Sequence, residues 1–494
     1  MSASASVVVA VAIAYLALSL GVGLWPSRRA SASAEGYVAG DRSLGLLVMY
    51  FITGATIFSS FAFLGAPGFA YAKGTAVFYI LGYGALGFVP FYFLGPRAAS
   101  LGRAHGFVTQ ADLVATRLEH PALAGVMALV SVVAFVPYLA LQIRGAGLVL
   151  EVLTEGAVPV WLGGLVTYLV VLVYVWKSGV LGVGWTNTFQ GVFMLVLAWG
   201  LGLYLPERLY GGVGPMFARL AVERPEHLAP PGIGWTWGEY LAAVVVSAVG
   251  FSVWPHLFMK AFSARSDRTL QRTVVLYPTF QLFLVPLTLI GFAGVLFPVA
   301  PAQADQILPH MLMELRLSPV LVGLFCAGAL AASMSSGDAM AHAAASIAVR
   351  DGWGRALGRT FSATRERRAI RTGVIVVMAL GYGTALVAHY YDVSLVVLLL
   401  AAYGAVVQFA PAVVLALYRP RDVHGRPFGT AALAGMLAGA LTTVGLVVFP
   451  EAQPVTLHPG LWGLFVNLLV LGAWVIRRRG YRDSGSAEGR HSLA

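Results

Sequence analysis

The sequence predicts an all-α polytopic membrane protein of about thirteen transmembrane helices around a 5+5 inverted-repeat core, whose first and sixth core helices are broken. Three observations carry this. Of 494 residues, 59% are hydrophobic and only 11% charged, against about 25% charged in a soluble globular protein, and mean hydropathy is +0.80. Apolar runs of roughly 20 residues, the length that crosses a bilayer, recur along the whole chain. Two of those runs, in corresponding positions of two sets of five, are interrupted by residues that spoil a helix. Paired interruptions of that kind are the best sequence pointer to an inverted-repeat transporter with a site near the bilayer midplane.

Taken in order, the candidate spans are about 5–25, 44–66, 75–95, 121–150, 157–176, 180–205, 238–262, 273–299, 318–347, 373–390, 393–418, 430–449 and 458–476. The first lacks a basic leader and is followed by Arg28 and Arg29, which favours a retained span with its N-terminus outside. Counting loops alternately from there puts most of the 32 Lys and Arg on one side, including the run Arg350 to Arg371 and the tail residues Arg477, Arg478 and Arg479. Positive charge marks the cytoplasmic side, so the C-terminus is expected inside. This also accounts for the +11 net charge without a nucleic-acid partner. The expected units are an N-terminal helix and loop (1–43), a first repeat with its external loop (44–237), a second repeat (238–420), two C-terminal helices (421–479) and a short tail (480–494).

The first interruption lies in 51–74, FITGATIFSSFAFLGAPGFAYAKG. Gly54, Gly65, Pro67 and Gly68 weaken the helix, while Thr53, Thr56, Ser59 and Ser60 add hydroxyls. In lipid an unpaired peptide group costs several kcal/mol, so a broken helix survives only where it lines a protein cavity. Freed carbonyls are ligands for a small hard cation. Close helix packing through small residues is the competing reading. A second stretch, 327–344, AGALAASMSSGDAMAHAA, brings adjacent hydroxyls at Ser335 and Ser336. Neutral oxygens suit a weakly held monovalent ion, whereas several carboxylates would suit calcium. The second helix interruption is 250–256, GFSVWPH, where Pro255 removes a helix hydrogen bond.

Other motifs exclude more than they assign. The glycines at 82, 84 and 87 match G-x-G-x-x-G, but inside an apolar span with no preceding strand they read as helix packing. No nucleotide-loop, hydrolase-elbow or zinc-protease pattern is present, and the lone Cys326 rules out a disulfide framework. Asp338 and His342 share a helical face; they either relay protons or pair internally. Arg144 either meets an anionic solute or snorkels to the interface. Tyr138, Gln142 and Gln408 are uncharged polar groups in apolar helices, suited to solute contacts or interhelical hydrogen bonds.

The chain resembles the sodium:solute symporter family over most of its length. The resemblance rests on AGDRSLG (39–45), GATIFSSFAFLGAPGFAYAKG (54–74), HGFVTQADLVATRL (105–118), GVGWTNTFQGVFM (182–194), PHLFMKAFSARS (255–266) and AASMSSGDAM (331–340), in that order and spacing. It implies the inverted-repeat fold of the leucine transporter and a sodium site made by the carbonyls of Ala55, Phe58 and Ala332 with the hydroxyls of Ser335 and Ser336. Some members bind a second sodium through an aspartate where this chain has Asn187, so one sodium per cycle is expected. Ile57 stands where proline permeases carry an acid, and Lys260 replaces the usual arginine. The resemblance places the solute between core helices one, three, six and ten, making Ser59, Tyr138, Gln142, Arg144, Phe251, Trp254 and Gln408 its candidate contacts. FVPYLALQIRGAG (135–147) and QFAP (408–411) are most similar to monocarboxylate permeases. The expectation is therefore a bacterial inner-membrane symporter that uses Na+ to import a small organic anion, with membrane lipid as its other partner. A proton-coupled or amino-acid symporter of the same fold is the alternative within the class. A membrane-embedded enzyme or a sensor is the alternative outside it, and the oligomeric state is open.

Overall fold

The structure, a computed structural model, describes residues 2–28, 33–391, 403–419, 425–453 and 457–488, with side chains of the last helix described through 474. Arg29, Arg421, Arg490 and residues 393–402 of the tenth core span lie outside the described residues. Among the described residues there is no β-strand, only one isolated parallel bridge between Leu44 and Ala264. The helices are α1 (Ala3–Leu24), α2 (Leu46–Ile57), α3 (Ala66–Lys73), α4 (Tyr79–Phe88), α5 (Phe91–His105), α6 (Pro121–Leu153), α7 (Val160–Tyr210), α8 (Trp237–Val253), α9 (Asp267–Gln281), α10 (Leu284–Val295), α11 (Pro319–Ile347), α12 (Ala363–Tyr390), α13 (Ala410–Tyr418), α14 (Arg426–Val448) and α15 (Pro459–Glu488).

Both expected interruptions are present. After Ile57 the backbone leaves the helix at Phe58 (φ −86°, ψ 87°) and resumes through a π-type turn at Phe61–Gly65 into α3, with a 57° bend between the halves. In the second broken helix Trp254 is extended (φ −55°, ψ 122°), and the continuation Pro255–Ser263 is bent by 43°. Pro255 forces that break because it has no amide to continue the ladder. At their far ends the two broken helices are laced together. The Leu44 amide donates to the Ser263 carbonyl at 3.1 Å and the Arg265 amide to the Leu44 carbonyl at 3.0 Å.

Several of the thirteen expected spans join end to end in the structure. Seven described helices are long and apolar enough to cross a membrane, nine if each bent pair is one span. Part of the difference is α7, 51 residues long with a single non-helical residue, Gly179. At 1.5 Å per residue it would run about 75 Å if straight, over twice the hydrocarbon thickness. The sequence reading divides it there into two crossings. Two further apolar stretches, Tyr403–Tyr418 and Pro459–Trp474, border the edge of the described residues or side chains.

The centre of the molecule is α11, in which every residue from Phe325 to Ile347 is buried. It packs on α1, α2, α6, α7 and α12, which its Ala, Gly and Ser residues permit by letting neighbouring backbones come close. Lipid-facing sides are apolar instead: Ile13, Leu47, Leu129, Val196 and Leu441 are all exposed.

Gly179 holds φ +58°, and a Cβ there would meet the Tyr37 carbonyl oxygen at 2.5 Å. Gly179→Ala is therefore expected to cost about 1–3 kcal/mol in strain and displacement, read as a lowered melting temperature of the detergent-purified protein. An unchanged melt would show that the turn does not need glycine.

Candidate ion and solute site

The break in the first core helix faces the middle of α11. The Ser335 hydroxyl donates to the Ala55 carbonyl at 2.9 Å and lies 3.1 Å from the Ala332 carbonyl. The Ser336 hydroxyl donates to the Thr56 carbonyl at 2.8 Å. Four of the five sodium ligands expected from the sequence, Ala55, Ala332, Ser335 and Ser336, thus lie on one seam between α2 and α11. Ser336 itself meets the Thr56 carbonyl, two residues before the fifth, Phe58. The Phe58 carbonyl lies at the break, since the amides of Ala62 and Phe63 go to the Ser59 carbonyl at 2.8 and 3.4 Å. The Phe58 ring turns to α9, stacking on Phe280 with centroids 5.4 Å apart.

Exposed backbone at the break is satisfied by α6. The Gln142 side-chain oxygen accepts the Ser60 amide at 2.9 Å, and its backbone carbonyl accepts the Ser333 hydroxyl at 2.7 Å. Tyr168 of α7 closes this group by donating to the Ser333 carbonyl at 2.9 Å. Gln142, expected as a solute contact, thus supports the broken helix, a role no sequence signal separates from substrate binding.

One turn along α11, Asp338 is buried among neutral donors. Tyr174 donates to its carboxylate at 2.8 Å, and Thr186 and Asn187 approach at 3.2 Å. The Asn187 side-chain oxygen lies 3.5 Å from the Thr56 hydroxyl, which joins this network to the seam. Asp338 therefore clamps α7 to α11, and the buried Lys260 of the second broken helix lies within its electrostatic reach. His342, on the same face, bonds the Tyr37 carbonyl at 3.0 Å. Tyr174 and Thr186 were not singled out in the sequence, where nothing distinguishes them from other polar residues of apolar helices.

The expected solute contacts divide. Ser59, Tyr138, Phe251 and Trp254 border one buried aromatic group. Tyr138 and Tyr403 lie 5.4 and 5.5 Å from Trp254, and Tyr83 lies 6.2 Å from Phe251. The Tyr138 hydroxyl approaches Ser59. His256 packs on Trp254 and Phe135, each 5.4 Å away. Arg144 is buried on α6, but roughly 140° around the helix from the face carrying Tyr138 and Gln142. Gln408 belongs elsewhere. Its amide donates to the Gly460 carbonyl at 3.0 Å and lies 3.3 Å from the Thr443 hydroxyl, while Asn467 donates to its carbonyl at 2.9 Å. It is a polar joint to α14 and α15.

A model of the sodium:solute symporter family matches residues 37–439. The chain belongs to that family. It is 28% identical over 459 residues to the protein named "Uncharacterized symporter YhjB" of Bacillus subtilis, covering 89% of this chain and 90% of that one. It is 22% identical over 457 residues to a monocarboxylate transport permease protein of Rhizobium johnstonii, covering 90% and 91%. Among solved structures, a Na+-coupled sialic acid symporter in its substrate-bound outward-open state superposes with TM-score 0.77 at 18% identity, covering 94% of this chain and 96% of that chain. That likeness shows the shared fold, an all-helical inverted-repeat transporter with broken first and sixth core helices. The chain is an integral membrane transporter and not an enzyme.

Replacing Asp338 by Asn keeps an acceptor for Tyr174 but sets its amide against that of Asn187, and Ala removes every bond. The Asp338→Asn and Asp338→Ala variants are expected to lose about 1–3 kcal/mol, Ala more than Asn. Thermal melts of both in detergent check the order; equal stability of all three proteins would remove the clamp.

Proposed function

We propose that this chain is a sodium-coupled symporter of the cytoplasmic membrane that imports a small organic anion, with a monocarboxylate as the leading candidate. The observation that carries the sodium reading is Ser335, whose hydroxyl sits between the Ala55 and Ala332 carbonyls. With Ser336, its partner Thr56 and the Phe58 carbonyl at the break, neutral oxygens from two helices converge. Such a set suits a hard monovalent ion, because it carries no charge that would hold a divalent one. Sodium would be held by Ala55, Phe58, Ala332, Ser335 and Ser336, with the Thr56 carbonyl added by the geometry.

The solute would lie among Ser59, Tyr138, Phe251 and Trp254, beside the family's broken helices. The name of the Rhizobium relative supports a monocarboxylate. The buried Nδ1 of His256 and the Tyr277 hydroxyl, which lack hydrogen-bond partners among the described residues, supply polar contacts in an otherwise aromatic wall. Repeats 44–237 and 238–420 would rock against each other, with sodium bridging α2 to α11 and favouring one state. The necessary preference is about 1–3 kcal/mol. The arginine-rich loops support an outside N-terminus and a cytoplasmic C-terminus.

Uptake of labelled pyruvate into proteoliposomes, driven by an inward sodium gradient and compared with a panel of other solutes, tests this. Sodium-driven uptake is expected, falling at least about ten-fold in Ser335→Ala/Ser336→Ala, as loss of more than 1.4 kcal/mol of ion binding predicts. Uptake indifferent to sodium and to both serines would overturn the ion site. Sodium-driven uptake of another solute alone would overturn the monocarboxylate and leave the coupling.

A further inference from the structure

The basic run from Arg350 to Arg371 divides into two groups with different surroundings. In the first the charges are answered: Arg350 pairs with Glu366 at 2.8 Å and Arg355 with Asp112. The cavity they border, about 370 Å³, also holds Asp351. In the second group Arg367, Arg368 and Arg371 line a separate cavity of about 510 Å³ with Trp176, Thr364, Thr372 and Ile375, and none of the described residues lining it is acidic. Arg371 is fixed there: its guanidinium lies 4.6 Å from the centre of the Trp176 ring and donates to the Lys177 carbonyl at 3.1 Å.

This basic cavity adjoins an apolar one. Ile375 lines both, and the apolar groove lies between α7 and α12, lined further by Leu172, Leu169, Met378 and Tyr382. From Ile375 to Tyr382 the groove runs about 10 Å, most of the depth of one leaflet's hydrocarbon. Orientation in the membrane requires positive charge at this end of the helices, but not three arginines gathered around one cavity, nor an apolar groove adjoining it.

We propose that the crevice between α7 and α12 is a binding site for an anionic phospholipid. Its phosphate sits among Arg367, Arg368 and Arg371, its glycerol region lies beside Trp176, and one acyl chain runs along Ile375 to Tyr382. Basic pockets between transmembrane helices hold acidic lipid headgroups by this chemistry, and an indole belongs at the headgroup level. Occupation reaches the transport core through Tyr37. That ring lies 6.0 and 5.7 Å from Arg367 and Arg371, its hydroxyl donates to the Val175 carbonyl at 2.8 Å, and its own carbonyl bonds His342 of α11. The inference needs only that the chain is embedded in a bilayer and is independent of the transported solute.

The test uses the full chain, purified in detergent and stripped of lipid. Phosphatidylglycerol, phosphatidylcholine or glycerol phosphate is added, and melting temperature and retained lipid mass are measured. Phosphatidylglycerol is expected to bind and raise the melting temperature. Its affinity should fall roughly five-fold for each of Arg367→Gln, Arg368→Gln and Arg371→Gln. Ile375→Trp, which fills the groove without touching charge, should also weaken it. Equal protection by phosphatidylcholine, or unchanged binding in both the arginine variants and Ile375→Trp, overturns the site. Protection by glycerol phosphate that matches the lipid and survives Ile375→Trp shows a free phosphate site instead and overturns the lipid assignment.

Discussion

A helix broken inside a bilayer leaves peptide groups that water cannot reach, and the protein must pair them or place them where an ion or solute can. The arrangement of α2, α6 and α11 follows from that requirement. Gln142 takes the Ser60 amide, and Ser335 and Ser336 reach the Ala55 and Thr56 carbonyls. For these contacts α11 must approach the break closely, which explains its run of Ala, Gly and Ser and its depth of burial. The clamp at Asp338, with Tyr174, Thr186 and Asn187, then holds α7 in register with the same helix.

How much of this was legible in the sequence depends on whether the deciding physics is local. Both helix breaks were, because glycine, proline and the hydroxyls around them act on their own backbone. The pair Ser335 and Ser336 was legible for the same reason: adjacent hydroxyls in an alanine-rich span have few other uses. Gln408 was not, since an uncharged amide in an apolar helix does not say which neighbour it faces, and here it faces α14 and α15. Thr56 escaped because its contribution is a backbone carbonyl selected by the angle of the break. The division of α7 was legible as well, because Lys177 and Gly179 interrupt the apolar run where the backbone leaves the helix.

The far ends of the two broken helices are tied to each other through the main chain. The backbone bonds between Leu44, Ser263 and Arg265, with Arg42 reaching the Phe262 carbonyl at 3.3 Å, make their far ends one unit. The contacts of that unit with α11 near the break are of a different kind, made by single hydroxyls. A rigid tie at one end and a soft seam in the middle is an arrangement in which the pair can move together against α6, α7 and α11.

The softness of that seam bears on coupling. A neutral hydroxyl–carbonyl bond contributes about 1 kcal/mol net, so the bonds made by Ser335 and Ser336 together are of the same order as the 1–3 kcal/mol that links two sites in a typical allosteric protein. A seam held by ion pairs would cost more to open when one partner left, because a buried charge would remain unpaired. A seam of leucines would offer an ion nothing. Hydroxyls and carbonyls are the groups that can serve both arrangements, bonding one another across the seam or turning their oxygens to a shared cation. On the proposed function, sodium would compete with this joint for the same oxygens.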